Sequence, residues 1–149
     1  KRLHSGFATS GTLHPSEVVT QLTEYLLDSD GLIDWFRGRS RELDLLERLA
    51  SEGHVLAVNA ISVAETFTGF SSDEADAAYE AIDAFDFWVI ELPIAVLAGQ
   101  YRYSYALRGR PLAVPDTLIA AQAIARDATV ITRNVRDFPM PELRILRPE

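Results

Sequence analysis

Four acidic side chains, Asp28, Glu65, Asp116 and Asp137, each stand at the border of an apolar segment, where an α/β chain passes between strand and helix. Asp28 follows Tyr25-Leu26-Leu27, and Glu65 follows Ile61-Ser62-Val63-Ala64. Asp116 opens a run through Thr117, Leu118, Ile119, Ala120 and Ala121, and Asp137 precedes Phe138. In an open parallel sheet such junctions gather outside the carboxyl ends of the strands. Carboxylates collected there repel one another and retain protons unless a hard cation lies between them, so the pattern is that of a site for Mg²⁺ or Mn²⁺.

Each acid also has a simpler explanation. Asp28, Asp30 and Asp116 are placed at helix starts, where a carboxylate accepts from orphan amides and complements the helix dipole. Asp137, beside Phe138 and Pro139, is equally suited to ending a turn. Glu65 is harder to dismiss: its helix offers Ile61, Ala64, Phe67 and Thr68 toward a sheet, which predicts a half-buried glutamate in need of a partner. Capping explains the acids one at a time, but not their joint order and spacing.

The elements that must position these acids alternate short apolar runs with helical periodicity, the signature of a parallel sheet covered by helices. Strands are predicted at 25–28, 55–58, 87–92 and 129–132, with a short one at 144–146. A short helix through Leu32, Ile33, Trp35 and Phe36 stops near Gly38. Ser40 is placed to cap a second helix that carries Leu43, Leu46, Leu49 and Ala50 and ends at Gly53. Asn59 caps the helix of Glu65. Residues 72–85 read as an amphipathic helix with Ala75, Ala78, Tyr79, Ile82 and Phe85 inward and Asp73, Glu74, Asp76 and Glu80 outward. Pro93 starts a helix to about Leu107, ended by Gly109, although the alternation Tyr101, Tyr103, Tyr105 also suits a strand. Pro115 and Asp116 begin the last helix, which runs to Ala125. Residues 1–24 lack this pattern and read as an extension, native or added by cloning, with one or two helical turns around 16–22; the domain is 25–149.

A chain of 149 residues, 48% hydrophobic and 24% charged, is expected to form one core and one domain. It has no cysteine, which excludes disulfides, thiolate metal sites and cysteine nucleophiles. No apolar run approaches the length of a membrane span, and the expected location is the cytoplasm. The formal charge of −8 opposes phosphate binding at long range, but no acid lies between Glu91 and Asp116, where Arg102, Arg108 and Arg110 fall, and Arg133 and Arg136 flank the fourth acidic position. These arginines are candidates for a phosphate-binding rim beside an acidic pit, or are ordinary solvated side chains.

The segments Leu26-Leu27-Asp28-Ser29-Asp30-Gly31-Leu32-Ile33-Asp34-Trp35-Phe36-Arg37-Gly38, Ile61-Ser62-Val63-Ala64-Glu65-Thr66-Phe67-Thr68-Gly69, Pro115-Asp116-Thr117-Leu118-Ile119-Ala120-Ala121 and Ile131-Thr132-Arg133-Asn134-Val135-Arg136-Asp137-Phe138 together resemble the successive motifs of PIN-domain nucleases, and more narrowly VapC-like toxins of bacterial type II toxin–antitoxin pairs. The resemblance implies a three-layer α/β/α sandwich around a parallel sheet, an Mg²⁺- or Mn²⁺-dependent endoribonuclease, an RNA substrate, a cognate antitoxin and a homodimer. Asp28, Glu65 and Asp116 match the family's three principal acids. The fourth position is shared between Asn134 and Asp137, with Thr132 matching a position that orients metal-bound water. Asp30 stands where Asn is commoner, adding charge, and Gly31 stands where a larger apolar residue is usual, loosening the first helix.

Such residues suit phosphodiester hydrolysis, since a carboxylate-held ion both activates water at neutral pH and neutralises the developing oxyanions. Histidine is not needed, and His4, His14 and His54 lie outside the motifs. Arg102, Arg108, Arg110 and Arg133 are the candidates for contacting an RNA backbone. Two alternatives remain: a PIN-like RNA-binding or assembly module without turnover, and a haloacid-dehalogenase-type phosphatase suggested by Asp28-Ser29-Asp30-Gly31. The latter needs a later lysine, and the sole lysine is Lys1.

Overall fold

The computed structural model describes residues 21–148. Most of the predicted extension at 1–24, with most of its helical turns around 16–22, lies outside the described residues. The chain then runs β1 (Glu24–Leu27), α1 (Ser29–Phe36), α2 (Ser40–Ser51), β2 (Val55–Asn59), α3 (Ala60–Thr68), α4 (Ser72–Ala81), β3 (Asp86–Trp88), α5 (Leu92–Leu107), α6 (Val114–Ala125), β4 (Thr129–Ile131) and β5 (Arg144–Leu146). Single 3₁₀ turns lie at Ile82–Ala84 and Val135–Asp137. The five strands form one sheet in the order β3-β2-β1-β4-β5, every pairing parallel. β1 is central, and the chain reverses direction across the sheet on either side of it, which opens a crevice at its carboxyl end.

Both faces of the sheet are buried because successive strand residues point to opposite sides. Leu26, Ala57 and Val130 pack on one face with Ile119, Ala120 and Ala123 of α6 and Tyr105 of α5. Leu27, Leu56, Val58 and Ile131 pack on the other with Leu32 of α1 and Leu46 and Leu49 of α2. The result is the three-layer α/β/α sandwich that the alternating runs implied. His54 serves this frame: its Nδ1 accepts from the Thr23 N–H at 3.0 Å, joining the approaches to β1 and β2.

Several local expectations are corrected. Ser40 is the first helical residue of α2 and not its cap; Arg39 holds the capping position without a side-chain bond. Its backbone N–H donates to the Asp34 carbonyl and its guanidinium meets the Asp34 carboxylate at 3.2 Å, so the turn from α1 is tied one residue earlier than the serine suggested. Gly38, at φ +69°, supplies the left-handed residue this turn requires. α4 ends at Ala81, and Tyr79, predicted inward, is 76% exposed. Ala78 is the buried residue of that short helix, and its neighbour projects about 100° away. β3 stops at Trp88, leaving Val89 exposed, and Tyr101 to Tyr105 are helical, with Tyr105 buried and Tyr103 exposed.

Gly31 is helical and buried, and a Cβ there would meet Ile131 Cγ2 at 3.8 Å, an ordinary van der Waals contact. Gly31→Ala is therefore expected to raise stability by about 0.5–1 kcal/mol through helix propensity, read as a higher urea midpoint at unchanged slope.

Candidate active site

Asp28 leaves the end of β1 and caps α1. One carboxylate oxygen accepts from the Ser29 N–H at 2.8 Å, and the other accepts from the Thr132 hydroxyl at 2.9 Å. The Thr132 hydroxyl in turn accepts from the Asn134 N–H, so the loop after β4 is bonded to the first acid across a fully buried threonine. The side chain of Asp28 is almost wholly inside, and burial raises its pKa to about 6, with the fields of Asp30 and Glu65 adding to the rise and the Ser29 and Thr132 bonds opposing it.

Asp116 lies in the first turn of α6, directly after Pro115, and is half-buried. Its pKa is also raised to about 6, first by burial and then by the charges of Asp137, Asp28 and Glu65. The four acids singled out from the sequence therefore share one electrostatic neighbourhood at the carboxyl edge of the sheet. Asp137 and Asn134 border it from the exposed turn after β4.

Glu65 reaches this neighbourhood differently from what its sequence suggests, because it is exposed and not half-buried. The Asn59 side chain accepts from the Ile61 and Ser62 amides, and the Ser62 hydroxyl accepts from the Asn59 N–H, a capping box that fixes the rotation of α3. In that rotation Ser62 and Thr66 face the interior, Ala64 and Thr68 face solvent, and Glu65 projects into the open edge.

Asn59 also donates from Nδ2 to Gln122 Oε1 at 2.8 Å, and Gln122 Nε2 donates to the Val89 carbonyl at 3.0 Å. This buried relay fixes α3, which carries Glu65, against α6, which carries Asp116. Gln122→Leu leaves the buried Asn59 amide without its partner and frees the Val89 carbonyl, and a loss of about 1–3 kcal/mol is expected in chemical unfolding.

A second acidic group was not recognised in the sequence. Arg133 donates its backbone N–H to Asp30 at 2.7 Å, and its guanidinium pairs with Asp34, with Glu42 at 2.8 Å and more distantly with Asp30 at 3.9 Å. Asp34 and Glu42 are buried. Arg133 was expected on a rim facing RNA; three carboxylates from α1 and α2 draw it inward, where it holds the loop after β4 against the first two helices. The available signal was an acid within the apolar run Leu32-Ile33-Asp34-Trp35-Phe36. The other rim candidates are engaged more lightly: Arg102 donates to the Leu112 carbonyl, Arg108 lies over the Tyr105 ring, and Arg110 donates to the Arg136 carbonyl beside the turn of Asp137.

The donor set suits a hard divalent ion: carboxylates and an amide, no thiolate, and two acids whose protons are held to about pH 6 without a counter-charge. Among the described residues no three acidic or histidine side chains stand close enough to grip an ion together as they are.

The PIN-domain family model matches residues 25–139. Ribonuclease VapC19 of Mycobacterium tuberculosis is 34% identical over 121 residues, covering 80% of this chain and 96% of that protein. Ribonuclease VapC10 of the same organism is 32% identical over 117 residues, covering 78% and 87%. Among solved structures, a chain of VapBC2 from Rickettsia felis bound to a promoter DNA fragment superposes with a TM-score of 0.76 at 20% identity, covering 85% of this chain and 100% of that one. A toxin–antitoxin complex from Klebsiella pneumoniae gives 0.68 at 28% identity, covering 84% and 98%. The chain belongs to the PIN-domain family and is similar over most of its length to VapC ribonucleases.

Proposed function

We propose that this protein is an Mg²⁺- or Mn²⁺-dependent endoribonuclease and the toxin of a type II toxin–antitoxin pair. The observation that carries the reading is the field at Asp116, to which Asp137, Asp28 and Glu65 all contribute. The VapC relatives are named ribonucleases, and the structural neighbours are complexes with antitoxins. To that kinship we add, as part of the proposal, an RNA substrate, a cognate antitoxin and a cytoplasmic location.

Asp28 and Asp116 would hold the ion, with Glu65 ligating it or its water and Asp137 or Asn134 completing the site. Bound there, the ion supplies an activated water and counter-charge for the phosphoryl oxygens. The chain's own part is positioning. Thr132 fixes the orientation of the Asp28 carboxylate, the Asn59–Gln122 relay sets α3 against α6, and Arg133 anchors the loop that carries Asn134 and Asp137. The phosphatase alternative lacks its lysine, and the Asp30 carboxylate, its second acid, is bonded to the amides of Gly31 and Arg133.

The homodimer needs an apolar face, and α5 offers one. Leu92, Val96, Tyr103 and Leu107 form an exposed stripe on the side opposite buried Ala98 and Tyr105, the surface we assign to pairing with a second copy.

The test of activity is incubation of mixed RNA with the purified protein before and after chelation. Metal-dependent cleavage is expected, and binding without cleavage under all metal conditions would favour the non-catalytic module.

Stability offers an independent readout. The Asp28 carboxyl titrates at 3.8 when unfolded and about 6 when folded, so the folded state holds this proton more tightly. Its contribution is most favourable below pH 4 and falls as pH rises through 6, by roughly 2–3 kcal/mol. Thermal unfolding without metal is therefore expected to show a higher Tm at pH 5 than at pH 7.5. Mn²⁺ should raise Tm at pH 7.5 and do little at pH 5, and Asp28→Asn should weaken both responses, the pH dependence that remains being that of Asp116.

A further inference from the structure

We propose that a groove lined by Arg41, Arg48 and Arg147 binds the phosphate backbone of the RNA strand beside the active site. This rests on the ribonuclease reading and adds to it the path of the substrate. The groove is a cavity of about 520 Å³ between α2 and the end of β5, with Leu45, Leu146 and Pro148 as its apolar walls and Asp44 as the acid of its lining.

Three observations point to a polyanion. Among the described residues the guanidinium groups of these arginines have no ion pair or hydrogen bond to the protein, whereas Arg39, Arg126, Arg133 and Arg144 are all paired with carboxylates. In a chain of net charge −8, three arginines against the one acid Asp44 around a single cavity form a local reversal of sign. Arg41 and Arg48, seven positions apart, lie on one face of α2, about 10 Å apart along its axis, a span suited to an extended charged strand and not to a single small anion.

The groove also has the right address. The Leu146 carbonyl accepts from the Thr132 N–H at 3.2 Å, and the Thr132 hydroxyl binds Asp28. At the other wall, Glu42, next to Arg41, pairs with Arg133 of the same loop. A strand lying along the arginines is thereby directed toward the acidic edge. Among the described residues no aromatic side chain lines the cavity, so the contacts it offers are chiefly to phosphates.

The experiment compares the full-length wild type with the triple variants R41Q/R48Q/R147Q and R41K/R48K/R147K. Binding of a fluorescent single-stranded RNA is measured without metal over a salt series, and cleavage kinetics are measured with Mg²⁺. For the glutamine variant the expected results are at least tenfold weaker binding, a salt slope shallower by about 2, and a rise in KM with kcat within about threefold. The lysine variant should retain the wild-type salt slope. Unchanged affinity and slope in the glutamine variant, with the wild type still cutting RNA, would overturn the groove while leaving the ribonuclease reading intact. RNA behaviour like wild type together with lost binding of an acidic antitoxin segment would overturn it in favour of a protein ligand. A wild type that neither binds nor cuts RNA overturns both readings.

Discussion

Asp116→Asn is expected to reduce metal-dependent RNA cleavage by roughly a hundred- to a thousand-fold while leaving the fold intact. The side chain is nearly isosteric and sits in the first turn of α6, where an amide is tolerated, and Pro115 and the helix beyond it are untouched. What is lost is one negative charge from a group of four. Because Asp116 is held near pKa 6 by burial and by Asp137, Asp28 and Glu65, its ionised form is unfavourable in the ion-free protein. The asparagine variant should therefore melt no lower than wild type without metal at pH 7.5, and should lose the rise in Tm that Mn²⁺ produces. Initial cleavage rates and thermal unfolding on the same preparation read both effects. An inactive and unfolded variant would make Asp116 structural, and an active one would remove it from the site.

The largest effect on stability is expected at Arg133. Arg133→Ala leaves Asp34, Glu42 and Asp30 facing one another, the first two buried, with Arg39 alone reaching Asp34. Removing one partner of a buried charge group typically costs about 3–5 kcal/mol, because the remaining charges keep their desolvation penalty without compensation. Urea unfolding monitored by tryptophan fluorescence measures this. Arg133→Lys should recover only part of the loss, since one ammonium cannot reproduce a planar fork that reaches two side chains of α1 and one of α2. In a double-mutant cycle, Glu42→Gln should cost less in the Arg133→Ala background than in wild type.

The sheet was legible because its chemistry is local. Leu26 and Leu27, or Val130 and Ile131, are consecutive apolar residues in short runs closed by polar ones, and runs of that length suit a strand buried on both faces. α6 was legible from Pro115 at its start and the alanines that follow, and the gathering of its Asp116 with Asp28 followed from the parallel topology alone. The rotation of α3 was not legible. It depends on Asn59 bonding to two amides of its own helix and also to Gln122, 63 residues away, and this turned Glu65 outward against its apolar neighbours. The buried pairs of Arg133 were hidden for the same reason, since Glu42 and Asp34 lie 91 and 99 positions earlier in the chain. Long-range polar contacts of this kind leave no periodic trace in a single sequence.

In the proposed enzyme Asp28, Glu65, Asp116 and the loop of Asn134 and Asp137 together hold a catalytic divalent ion. A crystal of the protein soaked in Mn²⁺ and measured at the manganese absorption edge tests it directly. The expected result is an anomalous peak between Asp28 and Asp116, bordered by Glu65 and by Asn134 or Asp137, and its absence from Asp116→Asn crystals. Manganese bound away from these residues, or no peak in a preparation that still cuts RNA under the same conditions, would contradict it.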